Sequence, residues 1–385
     1  MLLAFAALFL FLFAGQSMAQ KGEPESGTRV RQLQQAAKLI EARDFAAAES
    51  ALRPLLDSQP GDPIALDLLG VIRMQQQNPA EAEALFKQAI ASGHGIAGPH
   101  INLAVLYGAD RPFEALAELQ AALKLAPGDA QAESAVRKVA KDAALKAMRA
   151  GQKQHAVSIL LKAREVLPHD PELLYEFGMA ALDAALYRDA QQSLEEALKL
   201  KPDKNEAIYA LARVYLAENM ATAAEEEMRK YLAAKPEDAS AQYGLGYILV
   251  AEQKIDEAKI AFEKSIALQP NQTESVFQLG EIDSEQGNRD AAREQFSKVL
   301  ARDPRHAGAL TGIAILAYRE GKYDEAKTGF EQAIASAPFY QKAHYYYALT
   351  LAKLGNKTDA DREFQIARSL QKSHGAQQAL GAQSQ

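Results

Sequence analysis

Between about residue 29 and residue 372, apolar side chains return every three or four positions in blocks of roughly a dozen. That period predicts a succession of amphipathic helices. Short polar breaks separate the blocks, such as Glu285-Gln-Gly-Asn-Arg289 and Arg319-Glu-Gly-Lys-Tyr323, and their glycines are helix stop signals. The blocks recur in pairs. Prolines stand at Pro168, Pro202, Pro236, Pro270, Pro304 and Pro338, each 34 residues after the last. Alanines keep the same phase at Ala156, Ala190, Ala224, Ala258, Ala292, Ala326 and Ala360, with a large apolar residue four positions on at Leu160, Leu194, Met228, Phe262, Phe296, Phe330 and Phe364. A small residue marks the middle of each first helix from residue 171 on: Gly178, Ala212, Gly246, Gly280, Ala314 and Ala348.

Each class has a physical reason. Two antiparallel helices approach closely only where the side chains at the crossing are small. The large residue one turn further along the same face fills the space between neighbours. Proline opens a helix because the first turn needs no amide donor. No pair can cover its own apolar face, so each depends on the next. Enlarging Ala258 or Ala292 is expected to overpack a crossing at a cost of roughly 1–3 kcal/mol.

These units resemble tetratricopeptide repeats. Leu279-Gly280, Ala292, Phe296 and Pro304 carry the family pattern in one unit, and Leu245-Gly246, Ala258, Phe262 and Pro270 in another. The resemblance implies an all-α fold, a right-handed superhelical solenoid of antiparallel helix pairs, with about ten repeats. Repeats 1–3 are expected over 29–129 and repeats 5–10 over 171–372. The fourth, 130–170, has a lengthened first helix, because Pro127 and Pro168 stand seven residues further apart than the period. Residues 20–28 read as a flexible linker and 373–385 as a frayed tail.

The N-terminus adds an address. Leu2 to Ala14 is an unbroken apolar run, and Ser17 and Ala19 are small residues at signal-peptidase spacing. The run is shorter than the roughly 20 apolar residues a bilayer crossing needs, although no Lys or Arg precedes it. The expectation is a signal peptide over 1–19 cleaved before Gln20, and a protein exported to the periplasm or beyond a bacterial envelope. Left uncleaved, the segment would anchor it; no later stretch reads as an integral span.

Composition removes several classes of function. There are no cysteines, which excludes disulfides, thiolate metal sites and a cysteine nucleophile. A formal net charge of -7 supplies no general attraction for nucleic acid. No phosphate loop, HExxH helix or nucleophile elbow occurs. Gly244-Leu-Gly246 lies within a helix and reads as packing, and His94 and His100 flank a glycine-rich turn without metal-ligand spacing. The chain therefore reads as non-enzymatic, with no cofactor and no metal. Acidic runs such as Glu225-Glu-Glu227 read as a solvated face.

The resemblance instead points to the concave face, lined by first helices. Five residues into each regular repeat stand Tyr175, Tyr209, Tyr243, Phe277, Thr311 and Tyr345. One turn on stand Met179, Arg213, Tyr247, Glu281, Ile315 and Leu349. Tyr175, Tyr209, Arg213, Tyr243, Tyr247, Phe277 and Tyr345 are the candidate partner-binding residues, since aromatic and Arg side chains anchor interfaces. Aromatics at this place also pack between neighbouring helices, and both roles stay open at this point. Residues 171–306 carry 25 acidic and 16 basic side chains, which favours a protein or peptide partner with a basic patch. The leading expectation is an envelope scaffold for protein–protein interaction. The alternative is an accessory protein that binds polysaccharide or another polymer during envelope assembly or export. Nothing in the sequence sets the oligomeric state.

Overall fold

The computed structural model describes residues 24–93 and 95–383, with side-chain environments from 27 to 372. The expected signal peptide, 1–19, and His94 lie outside the described residues. Twenty helices and no strand are found among those described. The chain divides into two compact units, residues 1–180 and 181–385.

The N-terminal unit contains α1 (Pro24–Glu41), α2 (Phe45–Ser58), α3 (Pro63–Gln75), α4 (Pro79–Ala91), α5 (Ala97–Tyr107), α6 (Pro112–Leu125), α7 (Ala130–Arg149), α8 (Lys153–Val166) and most of α9 (Pro171–Asp183). Consecutive helices pack in pairs, α1 with α2 through α7 with α8. The Asp62 carboxylate accepts from the Ile64 and Ala65 amides at 3.0 Å and so caps α3, with Pro63 in the first turn. These donors have no partner within the helix, so the side chain replaces water there. Arg29 of α1 grips the same carboxylate at 2.7 Å. Arg137 of α7 does likewise to Asp170, the cap of α9, at 2.7 Å. At 20 residues α7 is seven longer than α3, and beside it α6 packs directly on α8.

One polar pair is sealed inside this unit. The Asn102 amide of α5 donates to Asp67 of α3 at 2.9 Å, and both side chains are buried. Burial pushes the Asp67 carboxyl from its ordinary 3.8 up to about 7, against the pull of the Asn102 hydrogen bond. The carbonyl Oδ1 of Asn102 finds no donor among the described residues.

The C-terminal unit contains α10 (Tyr187–Leu200), α11 (Asn205–Ala217), α12 (Ala221–Ala234), α13 (Ala239–Ala251), α14 (Ile255–Leu268), α15 (Thr273–Glu285), α16 (Arg289–Arg302), α17 (Ala307–Arg319), α18 (Tyr323–Ser336), α19 (Gln341–Lys353) and α20 (Lys357–Gln383). First helices α11, α13, α15, α17 and α19 each pair with the following second helix. The leucine–glycine pattern has a direct steric cause. A Cβ on Gly246 would lie 2.6 Å from the Phe262 ring, and one on Gly280 would lie 2.8 Å from Phe296. Phe262, Phe296 and Phe330 are fully buried, as are Ala258, Ala292 and Ala326. Turns between paired helices need one residue at positive φ, supplied by Gly287, Gly321 and Gly355; Ala185, Asn219 and Gln253 take the same conformation without glycine's freedom.

Both chain flanks depart from the sequence reading. Helix α1 starts at Pro24, inside the stretch read as linker, because proline is tolerated in a helix's first turn. Helix α20 continues through the stretch read as a frayed tail to Gln383, on a run rich in the strong helix formers Ala and Gln.

Candidate partner-binding site

In the C-terminal unit the aromatic row lies half in the core. Tyr243 packs on Phe262 at a ring separation of 5.9 Å, Phe277 on Phe296 at 6.0 Å and Tyr345 on Phe364 at 5.8 Å. Each thus rests on the large residue of its own second helix. Tyr209 instead meets Tyr231 at 5.0 Å, whose hydroxyl donates to Asp238 at 2.7 Å. Burial raises the Tyr209 phenol pKa, with Arg213 opposing; it raises that of Tyr243 too, aided by Glu274 and Tyr247 and opposed by a hydrogen bond with Gln278. Both therefore remain neutral at physiological pH, with a hydroxyl able to donate. One turn further, Tyr247 is 48% exposed and Arg213 is exposed. Tyr175 of α9, at the end of the N-terminal unit, is half-buried.

The row does not continue evenly. Thr311 and Ile315 of α17, expected on an open groove, are buried at 0% and 3% exposure. Their burial follows from small residues on the same helix. A Cβ on Gly308 would stand 2.7 Å from Phe277, and one on Gly312 would stand 2.5 Å from Phe296. Helix α17 therefore sinks between its neighbours, and α15, α17 and α19 pack along one another. The Lys342 ammonium of α19 pairs with Glu281 of α15, two repeats away. Burial pulls the Lys342 pKa down, but Glu281, by charge and hydrogen bond, more than offsets this and leaves it raised. Arg319 of α17 also reaches α15, donating to the Ser284 carbonyl at 2.6 Å. Glu281 stood in the sequence-derived rows as a groove residue; its cation was missed. The one sequence sign is the loop Phe339-Tyr340, where the corresponding loops read Asp203-Lys204, Glu237-Asp238, Asn271-Gln272 and Arg305-His306.

The acidic run also divides. Glu225, read as solvated, is buried against Arg229 and Lys254, both at 2.6 Å. Its hydrogen bond with Glu252, followed by those with Lys254 and Arg229, holds its pKa down to about 2. His100 is engaged by Glu118 at 2.7 Å. Among the described residues no cluster of three or more His, Asp or Glu side chains is placed to hold a metal ion, and no helix is long and apolar enough to cross a membrane. The face offers an exposed ring, a guanidinium and half-sunk aromatic edges. Such a surface suits docking of an extended or helical segment.

Residues 33–95 and 181–246 match tetratricopeptide-repeat family models, and residues 226–344 match the model described as the cytochrome c-type biogenesis protein H TPR domain. The chain is a tetratricopeptide-repeat protein. Among solved structures, a tetratricopeptide repeat protein from Parabacteroides merdae ATCC 43184 is 18% identical, with a TM-score of 0.54, over 61% of this chain and 93% of that one. That likeness shows the fold. The chain of MamA from Desulfovibrio magneticus RS-1 is 25% identical, TM-score 0.42, over 44% of this chain and 97% of that one. YrrB, described as a TPR protein with an unusual peptide-binding site, is 26% identical, TM-score 0.40, over 48% and 95%. No curated protein sequence matches.

Proposed function

We propose that this protein is a non-enzymatic scaffold of the bacterial cell envelope, exported by its N-terminal segment, that holds a protein partner against the first helices of its C-terminal unit. The observation that carries the reading is the pair of exposed side chains, Arg213 and Tyr247, each standing one turn from a half-buried ring, Tyr209 and Tyr243, with the half-buried Phe277 next in the same row. Rings fixed by the core lose little freedom on binding, so they anchor at low entropic cost. The match of residues 226–344 to a TPR domain of a cytochrome c-type biogenesis protein supports a role in the maturation or assembly of another protein. The acidic excess of 171–306 favours a partner segment with basic residues.

The test pairs Tyr247→Ala with Arg213→Glu, two exposed positions whose replacement leaves the core intact. Proteins captured from an envelope extract by the wild type are compared with those captured by the double variant, with thermal melting as the folding control. Loss of a specific protein by a variant that melts normally supports the reading. Undiminished capture, or retention of polysaccharide alone, refutes it. N-terminal sequencing of the mature protein, expected to begin at Gln20, checks export separately.

A further inference from the structure

The second helices of the C-terminal unit carry a row of outward positions 34 residues apart: Gln192, Glu226, Ile260, Glu294, Thr328 and Arg362. Five are polar and one is isoleucine. Ile260 is 64% exposed. It borders a groove of about 400 Å³ formed by α12, α13 and α14, with Leu232, Leu245, Leu249 and Ala261 among its lining residues. An apolar knob thus stands beside a hole with an apolar floor, lined also by Arg229, Gln242, Glu257 and Lys264.

The charges at this place say what covers it. Along α14, Glu257, Ile260, Ala261 and Lys264 fall at spacings of three, four and seven, so they form one stripe on one face. The stripe is its own complement when read backwards. Laid antiparallel on a second α14, Glu257 meets Lys264, and Ile260 meets the groove, on whose floor Ala261 lies buried. Glu257 is held at 2.6 Å by Arg229, while Lys264 makes no ion pair among the described residues. A second copy supplies the missing carboxylate to each Lys264 and buries both isoleucines. We propose that the protein forms a two-fold homodimer through antiparallel packing of α14 on α14, with Ile260 of each copy seated in the groove of the other. Such a two-fold contact is closed and uses the same patch twice. The seam is short, which makes the dimer weak and concentration-dependent, and each copy keeps its first-helix face.

The full chain contains no cysteine, so the contact can be read by disulfide trapping without background. Ile260→Cys is expected to give a covalent dimer under mild oxidation, and Glu294→Cys, one repeat further along the same row, is not. Sedimentation of the wild type is expected to show mass rising from one to two chains with concentration. Ile260→Asp should weaken association by about 100-fold or more, since two apolar side chains are lost from the seam. Glu257→Lys should weaken it and Glu257→Lys with Lys264→Glu should restore it. A wild type that stays monomeric at every concentration overturns the proposal. So does a dimer indifferent to Ile260→Asp, or equal trapping at 260 and 294.

Discussion

Replacing Asp67 by Asn is expected to stabilise the N-terminal unit at neutral and alkaline pH and to change little in acid. The carboxyl is buried, its only hydrogen-bond partner among the described residues is the Asn102 amide, and its pKa is raised from 3.8 to about 7. The folded protein therefore holds this proton more tightly than the unfolded chain does. Below about pH 3 both states are protonated and the side chain costs nothing. As pH rises towards 7 the unfolded carboxyl ionises freely while the folded one resists, so stability falls, and above about 7 the loss is complete. A shift of about three pKa units at 1.36 kcal/mol each sets an upper bound of roughly 4 kcal/mol. Asn at this position does not titrate, and its amide can serve both the donor and the unpartnered Oδ1 of Asn102. Urea unfolding at a series of pH values, with amide exchange in α3 and α5 as the local readout, measures the difference. Equal pH dependence in the two proteins, or a variant less stable than wild type at pH 8, would refute the reasoning.

Three further outcomes follow from other parts of the fold. Gly246→Ala places a methyl group 2.6 Å from the Phe262 ring, and thermal melting should show a loss of about 1–3 kcal/mol. Gln253→Gly relieves a residue held at φ 62° and should raise stability by about 1 kcal/mol, read by the same melt. His344→Ala removes the buried ring whose nitrogens meet Glu363 at 2.6 Å and the Pro338 carbonyl at 2.9 Å. The loss should be about 2–3 kcal/mol, with amide exchange accelerating first in α20.

The repeat register was legible because packing writes it into the chain at a fixed interval. Wherever a glycine must sit under a phenylalanine ring, as Gly246 does under Phe262, the pair recurs in phase and the helix boundaries follow. The candidate row was legible for the same reason, but its environment was not. Whether a ring at the fifth position stands free or leans on its second helix depends on side-chain direction, which spacing does not record. Burial of Thr311 and Ile315 depends on Gly308 and Gly312 letting α17 sink, and on Lys342 reaching Glu281 from 61 residues away. Glu225 was misread because a buried carboxylate among cations has the same local sequence as a solvated one. Its cation Lys254 comes from the next helix pair.

The Lys342–Glu281 strap bears on how the array melts. A stack of repeats is ordinarily a one-dimensional chain of couplings, each element feeling only the elements beside it. Here the repeat holding α15 is tied to the repeat holding α19 as well as to the one between them, so the description needs a next-nearest term at this place. Residues 273–353 should consequently open as one block of three rather than peel away singly, and a break inside it should be felt at both of its ends.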